Sequence, residues 1–195
     1  MRKFELPLVW LLLAAPGAFL IWRYATDAMG YGSFITWSGD IAVWLLMAAL
    51  AVTPARNLFP GKVTAFMLRR RRDLGVASFA YACGHLVVYL LRKADINLVL
   101  DEAAGIGMLT GWVAFFIFVP LAVTSNNLSI RLLKDGWRKL HWLIYPATIL
   151  TMAHWFFTAF EPTIAIVHAV IIGVLLGLRF APDWSQETTS VSDEE

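Results

Sequence analysis

The sequence predicts an all-α integral membrane protein, a six-transmembrane-helix bundle with both termini cytoplasmic. Three observations carry that expectation. Of 195 residues, 59% are hydrophobic and 15% charged, against roughly 45–50% and about 25% in an ordinary soluble domain. The apolar residues gather into six runs, each close to the roughly 20 residues a helix needs to cross a bilayer. The basic residues are segregated: thirteen of the sixteen Lys and Arg fall in segments on one side of those runs. Together with a mean hydropathy of +0.65, this excludes a soluble enzyme, a nucleic-acid-binding domain and a disordered chain.

The first run, Leu6–Tyr24, follows the basic Met1-Arg2-Lys3 in the manner of a signal peptide. Pro16 directly after Ala14-Ala15 disfavours cleavage, so the run is read as a retained helix. The second covers Ser38–Ala55. The third, Leu74–Leu91, is preceded by four consecutive arginines, Arg69 to Arg72. The fourth is Ile106–Thr124, the fifth Leu140–Ala159 and the sixth Thr163–Phe180. With the N-terminus inside, only Arg23, Arg92 and Lys93 lie outside, which follows the positive-inside rule. Residues 1–181 form one transmembrane domain, and the polar, acidic stretch 182–195 is expected to be a disordered cytoplasmic tail. Most of the nine tryptophans stand near run ends, as an interfacial belt does. The arginine run suits anionic lipid headgroups of the bilayer; its guanidinium groups also suit haem propionates or a flavin phosphate.

The chain has one cysteine, Cys83, and four histidines. A disulfide framework, a CxxC metal site and covalent haem attachment are therefore excluded, and a metal cofactor must use His85, His141, His154 or His168. Ionisable residues at membrane depth mark functional sites. At 1.5 Å per residue, His85 stands about 18 Å beyond Asp73, and His154 about 24 Å beyond Arg138. Both fall in the outer half of the bilayer and are placed to meet. Facing imidazoles in a bundle core suit axial ligation of haem iron; two unrelated histidines bonded to neighbouring backbone are the alternative. The small residues Ala80, Ala82, Cys83 and Gly84 would admit a flat macrocycle beside His85. His141, near the cytoplasmic end of the fifth run, is a weaker ligand candidate for a second haem. His168 is read as a satisfied interior histidine.

Several stretches are similar to one bacterial family: Leu50-Ala51-Val52-Thr53-Pro54-Ala55-Arg56; Arg71-Arg72-Asp73-Leu74-Gly75 continuing to Ala82-Cys83-Gly84-His85-Leu86 and Tyr89; Leu121-Ala122-Val123-Thr124-Ser125; and Trp137-Arg138-Lys139-Leu140-His141 followed by His154. They resemble the haem-binding membrane subunit of the periplasmic methionine-sulfoxide reductase system, the MsrQ or YedZ type, within the ferric-reductase-like transmembrane group. The resemblance implies a b-type cytochrome of the bacterial inner membrane with one haem, or two. The family's histidines map onto His85 and His154 as axial ligands and His141 as the ligand of a second haem. The resemblance also implies electrons taken from quinone or a cytoplasmic flavin reductase and passed to a periplasmic molybdenum-containing reductase. Separately from the resemblance, Arg72 and Arg138 are candidate cofactor-binding residues, since arginine pairs with haem propionates or with the phosphate of FMN. The chain departs from the family pattern at Trp37 and at Ala104-Gly105-Ile106-Gly107. A ferric-reductase-like cytochrome with a different acceptor is therefore the alternative, and a haem-free proton-coupled transporter the second.

Overall fold

The computed structural model describes residues 2–159 and 161–180, so the expected tail at 182–195 lies outside the described residues. Among them all regular structure is helical, in the order α1 (Arg2–Ala25), α2 (Tyr31–Leu58), α3 (Lys62–Lys93), α4 (Ile96–Ala103), α5 (Ile106–Val123), α6 (Asn127–Leu133), α7 (Asp135–His141), α8 (Ile144–Thr158) and α9 (Pro162–Phe180). Five of these, α1, α2, α3, α5 and α9, are long and apolar enough to cross a membrane.

Three differences from the expected runs have local causes. α3 begins at Lys62, ahead of the expected Leu74, because arginine, leucine and methionine are good helix formers whether or not lipid surrounds them. The short helices α4 and α6 were hidden between runs; Asp95 caps the first by accepting from Asn97 N at 2.8 Å, and Asn126 caps the second through Ser129 N at 2.8 Å. The expected fifth run is broken: α7 ends at His141 and the 15-residue α8 starts at Ile144. Pro146 has no N–H to give the Trp142 carbonyl four residues back. Tyr145 N takes that carbonyl instead at 3.2 Å, and Leu143 N bonds Leu140 O at 3.0 Å, tightening the turn.

The bundle is built from two closely packed pairs, α2 on α3 and α5 on α8, with only sparse contact between α3 and α5. α9 lies against α8 and α2, and α1 against α2 and α3. Inside the first pair, the buried Ser78 hydroxyl donates to Ala42 O at 2.7 Å. α1 is held by Tyr81, whose hydroxyl accepts from Gly17 N at 2.7 Å and donates to Leu13 O at 2.8 Å. Such an insertion into a helix ladder bends it. Gly17 permits it, because a Cβ there would meet the tyrosine ring at 3.2 Å.

Candidate functional site

The thin contact between the two pairs leaves a cavity of about 710 Å³, within the roughly 300–1,000 Å³ of small-molecule and cofactor sites. One histidine from each pair lines it: His85 of α3 and His154 of α8.

Both rings are held in the same way. His85 Nδ1 donates to Ile35 O of α2 at 3.1 Å, with Ser38 Oγ 3.3 Å away. His154 Nδ1 donates to Gly107 O of α5 at 2.7 Å. A carbonyl only accepts, so Nδ1 carries the hydrogen in each ring and the lone pair sits on Nε2. Neither Nε2 has a hydrogen-bond partner among the described residues. A backbone carbonyl behind Nδ1 is the usual way a metal-ligating histidine is oriented and made more basic.

Glycine sets the approach of the His154 ring. A Cβ on Gly39 of α2 would make only ordinary contact with His85 Nδ1, at 3.5 Å. A Cβ on Gly111 of α5 would fall 2.5 Å from His154 Nδ1 and 2.8 Å from Cε1, closer than real atoms come. One turn earlier, a Cβ on Gly107 would lie 3.0 Å from Phe157 and Thr158 side-chain atoms. Gly107 and Gly111 thus form a GxxxG spacing that lets α8 close on α5. The sequence reading missed this pair; the spacing itself was the available signal. Of the small residues beside His85, Ala82 lines the cavity while Ala80, Cys83 and Gly84 do not.

The other expected residues lie elsewhere. His141 is stacked on Trp137, with ring centroids 3.9 Å apart, and its Nδ1 donates to Trp137 O at 3.0 Å. It sits at the end of the bundle where α3 begins and α5 ends, within electrostatic reach of Arg71 and Arg72. Arg72 donates to Asn127 Oδ1 at 2.8 Å, and Arg138 is exposed; neither lines the cavity. Arg71 is more enclosed, bonded to Ala49 O at 3.1 Å and Thr53 Oγ1 at 3.4 Å. His168 has both nitrogens taken: Nδ1 donates to Ile164 O at 2.8 Å and Nε2 accepts from Trp44 Nε1 at 3.2 Å. Among the described residues no three His, Cys, Asp or Glu side chains gather as a metal site, so the two cavity histidines stand as a pair.

Packed helix pairs that face each other across a cofactor-sized cavity, each presenting one oriented imidazole, define a multi-pass helical membrane protein with its site between the helices. The chain belongs to the ferric-reductase-like transmembrane family, whose description, ferric reductase like transmembrane component, matches residues 38–152. Its sequence is 34% identical over 166 residues to the protein-methionine-sulfoxide reductase heme-binding subunit MsrQ of Xanthomonas axonopodis pv. citri, covering 82% of this chain and 75% of that one. It is 32% identical over 183 residues to the MsrQ subunit of Brucella ovis, covering 89% and 81%. These are the relatives its motifs resemble. No solved structure matches the chain.

Proposed function

We propose that the chain is a b-type cytochrome subunit of the bacterial inner membrane, holding one haem between His85 and His154. The observation that carries this reading is the matched anchoring of the two rings, each with Nδ1 on a neighbouring helix's carbonyl and Nε2 left to a cavity of about 710 Å³. Imidazole suits iron, and the lining, which includes Ala42, Val43, Leu46, Ala82, Ala114 and Phe118, suits a flat apolar macrocycle. Bound there, haem supplies a one-electron carrier. His85 and His154 would hold the iron, with the Ile35 and Gly107 carbonyls fixing the rings and the apolar side chains limiting water.

The broken segment α7–α8 is the sixth crossing in this reading, which puts both termini in the cytoplasm. The arginine-rich end is then cytoplasmic and the end carrying His85 and His154 periplasmic. Electrons pass from quinol, or from a cytoplasmic flavin reductase with FMN, to a periplasmic molybdenum-containing methionine-sulfoxide reductase. The relatives' printed names support a reductase partner, and a different acceptor is the alternative. The test is haem quantitation per purified chain with reduced-minus-oxidised spectra. Wild type should carry one haem, and His85→Ala and His154→Ala should each lose it. A wild-type protein with no Soret band refutes the reading and returns the chain to a transporter or anchoring role.

A further inference from the structure

The two ends of the cavity differ in chemistry. One is closed by Val43, Leu46, Phe79, Ala114 and Phe118, where the Ser78 and Thr151 hydroxyls are already donated to Ala42 O and Ala147 O. The other is rimmed by Tyr31 at the start of α2, Tyr89 and Lys93 in the last turns of α3, Glu102 of α4, and Glu161 just before α9. Lys93 is the one lysine or arginine among the described residues that line the cavity. It is also held in place. Glu102 Oε1 pairs with the Lys93 ammonium, and Glu102 Oε2 accepts from Tyr89 Oη at 2.9 Å. The backbone is turned to make this possible: α3 stops at Lys93 because Ala94 adopts a left-handed φ of 52°, and α4 then folds back with Glu102 facing α3.

Two axial imidazoles fix the position of an iron but leave the macrocycle free to rotate about the line joining them. Haem is apolar except for two carboxylates on one edge, and an ionised carboxylate is not buried without a partner. The apolar end offers none. We infer that Lys93 is the residue that anchors the haem carboxylates, so that the propionate edge faces the Tyr31–Lys93 rim, with Glu102 and Tyr89 as positioning residues that hold the ammonium there. An ammonium has three N–H donors, so it keeps Glu102 while taking a propionate oxygen. This inference rests on the haem reading above.

The test compares haem b with its dimethyl ester, which lacks free carboxylates, by Soret titration of the full apo chain in detergent. Wild type should bind haem b about tenfold or more tightly than the ester, the worth of a charge-assisted hydrogen bond. Lys93→Met should bring that preference close to one and lower the haem midpoint potential by removing a nearby positive charge, while Lys93→Arg should keep both. Equal wild-type binding of acid and ester, or an unchanged preference in Lys93→Met, overturns the inference while leaving the haem site standing. Failure of wild type to bind either compound overturns the haem reading with it. Where Lys93→Met fails to fold, equal wild-type binding of acid and ester still overturns the inference, and a preference kept in a folded Lys93→Gln does the same.

Discussion

Among the glycines, a Cβ would come closest to a neighbouring group at Gly111, against His154, which yields a sharp prediction for Gly111→Ala. The added methyl would lie 2.5 Å from Nδ1, 2.8 Å from Cε1 and 2.9 Å from Cγ of the imidazole. The ring cannot slide along its plane to escape, because Nδ1 is bonded to Gly107 O on the same helix at 2.7 Å. Either α8 moves off α5, against the contacts at Gly107, or the ring turns and gives up its carbonyl. Overpacking a filled site costs about 1–3 kcal/mol and losing a neutral hydrogen bond about 0.5–1.5 kcal/mol. The two routes are alternatives: the first lowers the unfolding free energy by about 1–3 kcal/mol, and the second, which turns the ring from its carbonyl, lowers haem affinity by up to about tenfold. The assay is Soret titration alongside thermal unfolding in detergent. Gly84→Ala is the matched control: it neighbours His85, and its Cβ would meet nothing within 4 Å. Alanine there should leave haem binding unchanged and stabilise α3 by up to about 1 kcal/mol. A Gly111→Ala protein with wild-type haem content and unfolding temperature refutes the reasoning.

His168→Leu should keep full haem content while removing the acceptor for Trp44 Nε1, a loss of about 1 kcal/mol in unfolding free energy; loss of the haem spectrum would reassign the ligand. Ala94→Gly should raise the unfolding free energy by about 0.5–1 kcal/mol, since glycine adopts the left-handed conformation without the Cβ penalty, and a lower melting temperature would contradict it. Hydrogen bonds from Lys93 and then Tyr89 hold the Glu102 carboxyl below its ordinary 4.5. Its contribution to docking α4 on α3 is therefore complete above that value and is lost as pH falls through the lowered one. Hydrogen exchange of α4 amides, corrected for intrinsic rates, should show protection falling in that acid window in wild type and no such step in Glu102→Gln.

The placement of His85 and His154 was legible from helix rise alone, because a membrane turns residue number into depth and both runs start from a basic cluster at the same surface. Which faces meet was not legible in the same way. Hydropathy marks residues that avoid water, and in lipid it does so on every side of a helix, so the α5–α8 seam left no amphipathic stripe to read. Its signature was the absence of side chains at Gly107 and Gly111. The break before α8 was foreshadowed by Pro146, yet the apolar run continued across it, because a missing N–H alters hydrogen bonding and not hydropathy. Lys93 was visible only as one of three cations on the outer side. Its position on the cavity rim depends on the reversal at Ala94 and on the unanticipated helix α4.

On the haem reading proposed above, the position of His141 distinguishes a quinol donor from a flavin donor. Arg71, at the arginine-rich end, precedes His85 by 14 residues of α3, about 21 Å of helix. A quinol diffusing within the bilayer can approach the cavity from the side, and it needs nothing at His141. A flavin at the cytoplasmic surface must move an electron along that whole length, and His141, stacked on Trp137 beside Arg71 and Arg72, is the one described histidine on the way. The prediction is a split. In His141→Ala, quinol should still reduce the haem held by His85 and His154 at the wild-type rate, while reduction by a flavin reductase with FMN should fall by about tenfold or more, the loss expected of a mispositioned redox partner. Stopped-flow recording of the Soret shift with each donor reads both arms. Equal loss with both donors would make His141 a structural prop of the bundle, and no loss with either would leave flavin reduction to a path that bypasses α7.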